Sequence, residues 1–161
     1  MKNLRFATTD DLYRISTIEQ ACFPETEAAS FCTFIKRFSA FPECFFVLEM
    51  DGEIVGHING CIYDQPELPD ELYNDATLHC PNGRYQTVFG LAVAPEYQQQ
   101  GYASLLLRHL IDVSKARGLL GVVLTCKDGL IGFYQSNGFQ HVGPSASGHG
   151  GGDWNDMLLT F

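Results

Sequence analysis

Residues 85–104 read YQTVFGLAVAPEYQQQGYAS, and the order of chemical types along them decides the fold. Residues Thr87 to Val93 are almost all apolar and alternate poorly, the pattern of a strand covered on both faces. Ala94-Pro95 ends the pairing, because proline has no N–H to give to a ladder. Gln98-Gln99-Gln100-Gly101-Tyr102-Ala103 then leads into Ser104-Leu105-Leu106-Leu107-Arg108-His109-Leu110-Ile111, which reads as a helix start. Such a loop gathers several backbone N–H groups at the positive end of a helix dipole, an anion site suited to a pyrophosphate. Side chains at Gly101 and Ala103 would hold phosphates away from that backbone, so glycine and alanine matter there. The same residues also suit an ordinary strand–loop–helix connection, since glycine is common at such turns.

Outward from this block, Leu4-Arg5-Phe6 reads as a first strand, and Thr8-Thr9-Asp10-Asp11 caps a helix through Cys22 with Leu12, Ile15 and Ile18 on one face. Phe23-Pro24 ends that helix. A second helix is predicted over Ala28 to Phe38. Phe45–Leu48 and Ile54–Ile58 are strands joined by Asp51-Gly52, a strong hairpin signal. Residues 63–84, with Pro66, Pro69, Pro81 and Gly83, read as a long loop. After the central strand and its helix, which stops at Arg117-Gly118, come a strand at Val122–Cys126, a short helix from Leu130 to Tyr134 closed by Asn137-Gly138, and a strand from Phe139. Pro144 to Asp153 is a small-residue loop, and Trp154 to Phe161 is the last strand. No repeat and no second domain is visible, so residues 1–161 are read as one domain of α/β (α+β) class, a mixed sheet with helices on both faces.

Bulk chemistry narrows the partners. The chain has 161 residues, 45% hydrophobic and 18% charged, and a formal net charge of −9. That acidity argues against a nucleic-acid partner, which would want a basic face. It is compatible with a cationic amine, or with a purely solubilising role. No apolar run is long enough to span a membrane and the N-terminus does not read as a signal peptide, so a cytoplasmic protein, monomeric or homodimeric, is expected. Six cysteines lie scattered without C-x-x-C pairing, which predicts reduced, buried thiols and no structural zinc.

Q-x-x-G-x-A after a strand ending L-A-V, followed later by F-Y-x-x-x-G-F at Phe133 to Phe139, resembles the GNAT superfamily of N-acetyltransferases. More narrowly, Phe41-Pro42-Glu43, Asp51–Val55, Leu78–Gly83, Leu91-Ala92-Val93 and Cys126-Lys127-Asp128 are similar to pieces of the arylalkylamine (serotonin) N-acetyltransferases. The resemblance covers residues 3–161. It implies a centrally splayed sheet, with the pantetheine arm of acetyl-CoA entering a gap between the Phe89–Val93 and Val122–Cys126 strands. It implies that Leu91 meets the acetyl carbonyl, that Ala92 and Val93 lie beside the pantetheine amide, and that Gln98, Gln99, Gln100, Gly101, Tyr102, Ala103 and Ser104 hold the pyrophosphate. Thr125 is counted with these cofactor contacts, and no metal is expected.

Acetyl transfer from a thioester to an amine needs a polarised carbonyl, a neutral amine and a stabilised thiolate. Tyr134 falls where the resembling enzymes carry their general acid; its rival role is a packed core aromatic. Where those enzymes carry two histidines, this chain has Thr87 and Phe89, neither of which can act as a base. The base is therefore sought elsewhere: His79 first, then His149, with Glu25 and Asp153 as carboxylate options. Phe23 and Pro24 are read as an apolar acceptor wall and His149 as part of a loop at the pocket edge. His149-Gly150-Gly151-Gly152 copies an esterase oxyanion element, but no G-x-S-x-G elbow accompanies it. Cys126 offers an acetyl-cysteine route, which is disfavoured because nothing nearby would lower its pKa. The expected reaction is direct transfer to a primary, small-molecule amine. The rivals are a protein or peptide amine, and a non-catalytic acyl-CoA-binding domain.

Overall fold

The computed structural model describes residues 1–161. Nine strands form two sheets of order β1-β2-β3-β6 and β4-β5-β7-β9-β8. The first is an antiparallel meander of β1 (Lys2–Phe6), β2 (Phe45–Met50) and β3 (Glu53–Asn59), with β6 (Gly90–Val93) added to β3. The β2–β3 turn places Asp51 at φ 51° and Gly52 at φ 84°. Both central residues at positive φ give the turn whose twist matches the flanking strands.

The second sheet joins β4 (Ile62–Tyr63), β5 (Tyr85–Val88), β7 (Gly121–Cys126), β9 (Asn155–Thr160) and β8 (Gln140–Pro144). Only β5 and β7 run parallel, from Tyr85 opposite Gly121 to Val88 opposite Leu124. Their crossover is α4 (Tyr102–Ala116), ended by Gly118 at φ 79°.

The strand read from sequence as one continuous element is two. It changes sheets at Phe89. The Phe89 N–H donates to the Asn59 carbonyl at 2.8 Å, while Gly90 is also opposite Asn59 in register. Two residues face one, which is a bulge, and a bulge bends and twists its strand. Up to Val88 the chain pairs with β7; from Gly90 it pairs with β3. Beyond Leu124, β7 continues as Thr125 and Cys126 against β9 alone. A V-shaped gap therefore opens between Leu91–Val93 and Thr125–Cys126.

Helices cover both faces. On one side α1 (Leu12–Cys22) and α2 (Phe31–Ala40) pack Leu12, Ile15, Ile18, Phe34 and Phe41 against Phe45 and Val47. On the other, α4 and α5 (Ile131–Ser136) pack Leu106, Leu107, Leu110 and Tyr134 against Phe46, Val55 and Leu124. The expected second helix starts later than predicted, because Ser30 caps it by accepting the Thr33 N–H at 3.1 Å. The segment 63–84 is more ordered than its composition implies. It holds α3 (Glu71–Asn74) and returns to the sheet edge through Cys80 N–H to Ile62 O and Arg84 N–H to Tyr63 O.

Candidate active site

The splay exposes backbone. Ala94 N–H donates to Val55 O at 2.8 Å, and the register is Val93↔Gly56, Ala92↔His57, Leu91↔Ile58. In an antiparallel ladder the bonded residues alternate. Ala92 therefore spends its N–H on β3, while the N–H groups of Leu91 and Val93 turn into the gap. The carbonyl of Val93, turned the same way, accepts the Gln98 side-chain amide at 2.9 Å and the Cys22 thiol at 3.1 Å.

Past the gap, the Gln98–Ser104 loop closes onto α4. The N–H groups of residues 99 to 104 have no hydrogen-bond partner in the protein, whereas Gln98 N–H is taken by Pro95 O and Leu105 N–H by Gly101 O. Gln99 at φ 61° and Gly101 at φ 85° curl this run into a concave array of donors at a helix N-terminus. Gln98 does not belong to the donor run. Its side chain staples the loop to the strand instead.

Below the gap lies a cavity of about 260 Å³. Of the residues singled out from sequence, it brings together Phe23, Pro24, Phe89, Leu91, Thr125, Cys126, Tyr134 and His149. Ala92, Val93 and residues 98–104 lie outside it, along the approach from the donor loop. Thr125 Oγ1 is 3.0 Å from the hydroxyl of Tyr73, a residue not singled out from sequence. Tyr134 is 7% exposed, lines the cavity, and packs edge-on to Phe133 and Phe139. Its hydroxyl has no hydrogen-bond partner in the protein. Burial, with smaller contributions from Cys126 and Tyr73, pushes the phenol well above its ordinary 10.0, so it remains a neutral donor. Burial likewise pushes the Cys126 thiol up to about 11, which keeps it protonated and a poor nucleophile.

Contacts between three segments join part of the cavity lining. Lys127 Nζ forms an ion pair with Glu27, whose carbonyl meets His149 Nε2 at 3.2 Å. His149 stacks on Tyr73 at 4.6 Å between ring centres, and Trp154 Nε1–H donates to its carbonyl at 2.7 Å. The α1–α2 loop, the end of β7 and the late glycine loop are thus tied together over the site. Gly150 has φ 64°, and a Cβ there would lie 2.6 Å from Glu27, so this fold-over needs glycine.

His79 is not at this site. Its Nδ1 accepts the Ile62 N–H at 3.0 Å, which fixes the proton on Nε2, 3.3 Å from Glu43. Its ring lies on Phe41 at 5.0 Å. Burial pushes the imidazole below 6.5 despite the pull of Glu43. The ring anchors the edge of β4, which corrects the expectation that its loop opens on the acceptor side. Glu25 and Asp153 are exposed and do not line the cavity. Thr87 is fully buried, with Oγ1 accepting the Cys61 N–H and donating to the Cys61 carbonyl, each at 3.0 Å. Phe89 stacks on the Arg37 guanidinium at 4.5 Å. No three His, Cys, Asp or Glu side chains converge to hold a metal ion.

The sequence model of the acetyltransferase (GNAT) family matches residues 10–139. The chain belongs to this family. Among curated GNAT relatives, serotonin N-acetyltransferase of Mesocricetus auratus is 39% identical over 97 residues, covering 60% of this chain and 45% of that protein. The Homo sapiens protein of the same name is 33% identical over the same shares. The match thus spans less than half the length of these relatives. Among solved structures, a GNAT-like decarboxylase in complex with isobutyryl-CoA superposes with a TM-score of 0.85 at 24% identity, covering 98% of each chain. The ribosomal-protein-S18-alanine N-acetyltransferase from Escherichia coli has a TM-score of 0.70 at 26% identity, covering 99% of this chain and 94% of that one. The splayed mixed sheet is therefore the GNAT fold.

The sequence reading missed Glu19, Glu27, Tyr73, Lys127 and Trp154, which line the cavity. Their sequence signal was slight. Glu19 sits in α1 beside Ile18, and only a carboxylate on the apolar stripe of an amphipathic helix could have flagged it.

Proposed function

We propose that the chain transfers an acetyl group from acetyl-CoA to a primary amine, directly, within a ternary complex on a single domain spanning residues 1–161. One observation carries this reading: a line of unpaired backbone donors runs from residues 99–104, through Val93 and Leu91, to a cavity floored by the unpartnered hydroxyl of Tyr134. Pyrophosphate charge suits the first group of donors. Val93 and Leu91 suit the pantetheine amide and the thioester carbonyl, where an N–H aimed at developing negative charge lowers the barrier. The departing thiolate, desolvated in the cavity, takes its proton from Tyr134. Cys126, protonated and buried, argues for direct transfer over an acetyl-cysteine intermediate.

A small amine is the preferred acceptor. The cavity is walled by Phe23, Pro24, Phe89 and Tyr73, an apolar and aromatic lining that suits an aromatic or alkyl amine. The serotonin N-acetyltransferase relatives point the same way. A peptide amine is the second reading, favoured by the likeness to the Escherichia coli enzyme. Thiol release with acetyl-CoA is to be measured against a panel of aromatic and alkyl amines and alanine-terminated peptides. Turnover confined to small amines is expected. Turnover confined to peptides selects the second reading, and CoA binding without turnover on any acceptor rejects the enzyme reading.

A further inference from the structure

Under the gap lies a group of buried polar atoms that neither the donor line nor Tyr134 accounts for. Glu19 is 4% exposed and lines the cavity from α1. Its Oε2 is held by the Ala29 N–H at 3.0 Å, which orients the carboxylate. Its Oε1 has no hydrogen-bond partner. A buried carboxylate oxygen left unmatched is costly, so its retention calls for a ligand or a task. It lies where the strand changes sheets: a Cβ on Gly90 would come within 3.1 Å of Oε1 and crowd the carboxylate, which glycine lets approach the residue preceding Leu91.

The charged and titratable groups around it define its character. His57, on β3, is fully buried with Nε2 3.4 Å from Oε1, and neither ring nitrogen has a hydrogen-bond partner. Arg37, on α2, is buried, donates to Tyr73 O at 3.1 Å and Asn59 Oδ1 at 3.4 Å, and is within the field of Glu19. Glu27 and Lys127 face the same cavity but neutralise each other. Cys22 and Tyr73 complete the surround, the Cys22 S–H donating to Val93 O and the Tyr73 hydroxyl sharing a hydrogen bond with Thr125 Oγ1. Among the carboxylates on the cavity, Glu19 is the one with an enclosed oxygen that has no hydrogen bond, His57 Nε2 standing 3.4 Å from it.

We infer that Glu19 is the catalytic base of this chain: its carboxylate, on the cavity lining beside Gly90, receives the acceptor's ammonium and takes the proton that must leave before attack. This rests on the acetyl-transfer reading. One ammonium proton passes to Glu19 and later to solvent. The neutral amine forms the C–N bond at the thioester carbonyl, giving a tetrahedral adduct. The C–S bond breaks, the thiolate takes the Tyr134 proton, and the tyrosinate takes the remaining surplus proton from nitrogen, which restores Tyr134. Glu19 thus fills from α1 the role left open by Thr87 and Phe89. Its carboxylate is also the feature that selects a cation.

The test compares wild type, Glu19→Gln and Glu19→Asp with phenethylamine and acetyl-CoA. Glutamine can still accept the Ala29 N–H, so the fold should be kept. For Glu19→Gln we expect kcat/KM near neutral pH to fall on the order of 10²-fold, with the deficit closing as pH approaches the amine's own pKa and free amine becomes abundant. Unchanged acetyl-CoA affinity and partial activity in Glu19→Asp are expected alongside. A pH-independent deficit that tracks lost thermal stability would assign Glu19 to structure and overturn the inference. If wild type transfers acetyl to no amine, the functional reading fails separately. Calorimetry of phenethylamine on the CoA complex then decides the site: about tenfold weaker binding to Glu19→Gln is expected, and equal affinity overturns it.

Discussion

Tyr134→Phe removes one oxygen from the centre of the site, and its consequences for folding and for turnover should separate. In the folded protein the hydroxyl bonds to no protein group, while the ring contacts with Phe133 at 5.0 Å and Phe139 at 5.6 Å survive the substitution. No hydrogen bond is lost and no partner is orphaned, so unfolding free energy should stay within about 0.5 kcal/mol of wild type, as for substitutions that break no named interaction. Turnover should behave differently. A donor aimed at developing charge in a dry site is worth about 3–4 kcal/mol, which corresponds to a kcat loss of about 10²–10³-fold. Burial holds the phenol well above 10.0, so the hydroxyl does not titrate at neutral pH and the deficit should be the same from about pH 6 to about pH 9. The assay is steady-state thiol release with calorimetric acetyl-CoA affinity and urea unfolding on the same preparations. Wild-type kcat in a folded Tyr134→Phe protein would reduce Tyr134 to packing. A loss matched by a comparable drop in stability would refute the claim that its hydroxyl is idle in the fold.

Three further outcomes follow from the geometry. Gly101→Val puts a β-branched residue at φ 85° in the donor array and should weaken acetyl-CoA binding about tenfold or more, by about 1–2 kcal/mol of anion contacts; calorimetry giving unchanged affinity in a folded variant would dismiss the loop as a phosphate site. His79→Ala should leave the pH–rate profile superimposable on wild type but lower urea stability by about 1–3 kcal/mol, because the Ile62 N–H loses its acceptor at the β4 edge. Alkaline pH should destabilise the fold: burial pushes Cys44 up to about 12 and Cys61 and Cys126 to about 11, from 9.0. The unfolded thiols ionise first, so stability intact below pH 9 falls as pH rises through about 11–12, by up to about 1.4 kcal/mol per pH unit for each thiol. Urea unfolding across this range checks the slope, which the Cys44→Ala/Cys61→Ala double variant should flatten.

Much of the architecture was legible in the chain. The apolar run of 87–93, the proline after it, Gly101 before the leucine-rich helix and the Asp51-Gly52 turn are local signals, each fixed by backbone chemistry within a few residues. They locate the central strand, the donor loop and the hairpin without any tertiary contact. The position of Tyr134 was legible through F-Y-x-x-x-G-F. The bulge at Phe89 was not, because an apolar residue within an apolar run carries no mark of which neighbour its N–H will find; Asn59, thirty residues earlier, decides that. Nor could sequence rank the candidate bases. His79 and Glu19 are single residues in a loop and a helix, and their chemistry depends on partners far along the chain. Ile62 N–H occupies one nitrogen of His79 and Glu43 lies 3.3 Å from the other, while Ala29 holds one oxygen of Glu19 and the other, 3.4 Å from His57, has no hydrogen bond. Local chemistry set the elements and the loop of unpaired backbone donors. Which titratable groups line the cavity and which are tied into the fold was decided by long-range packing, because hydrogen-bond satisfaction is a property of the assembled fold.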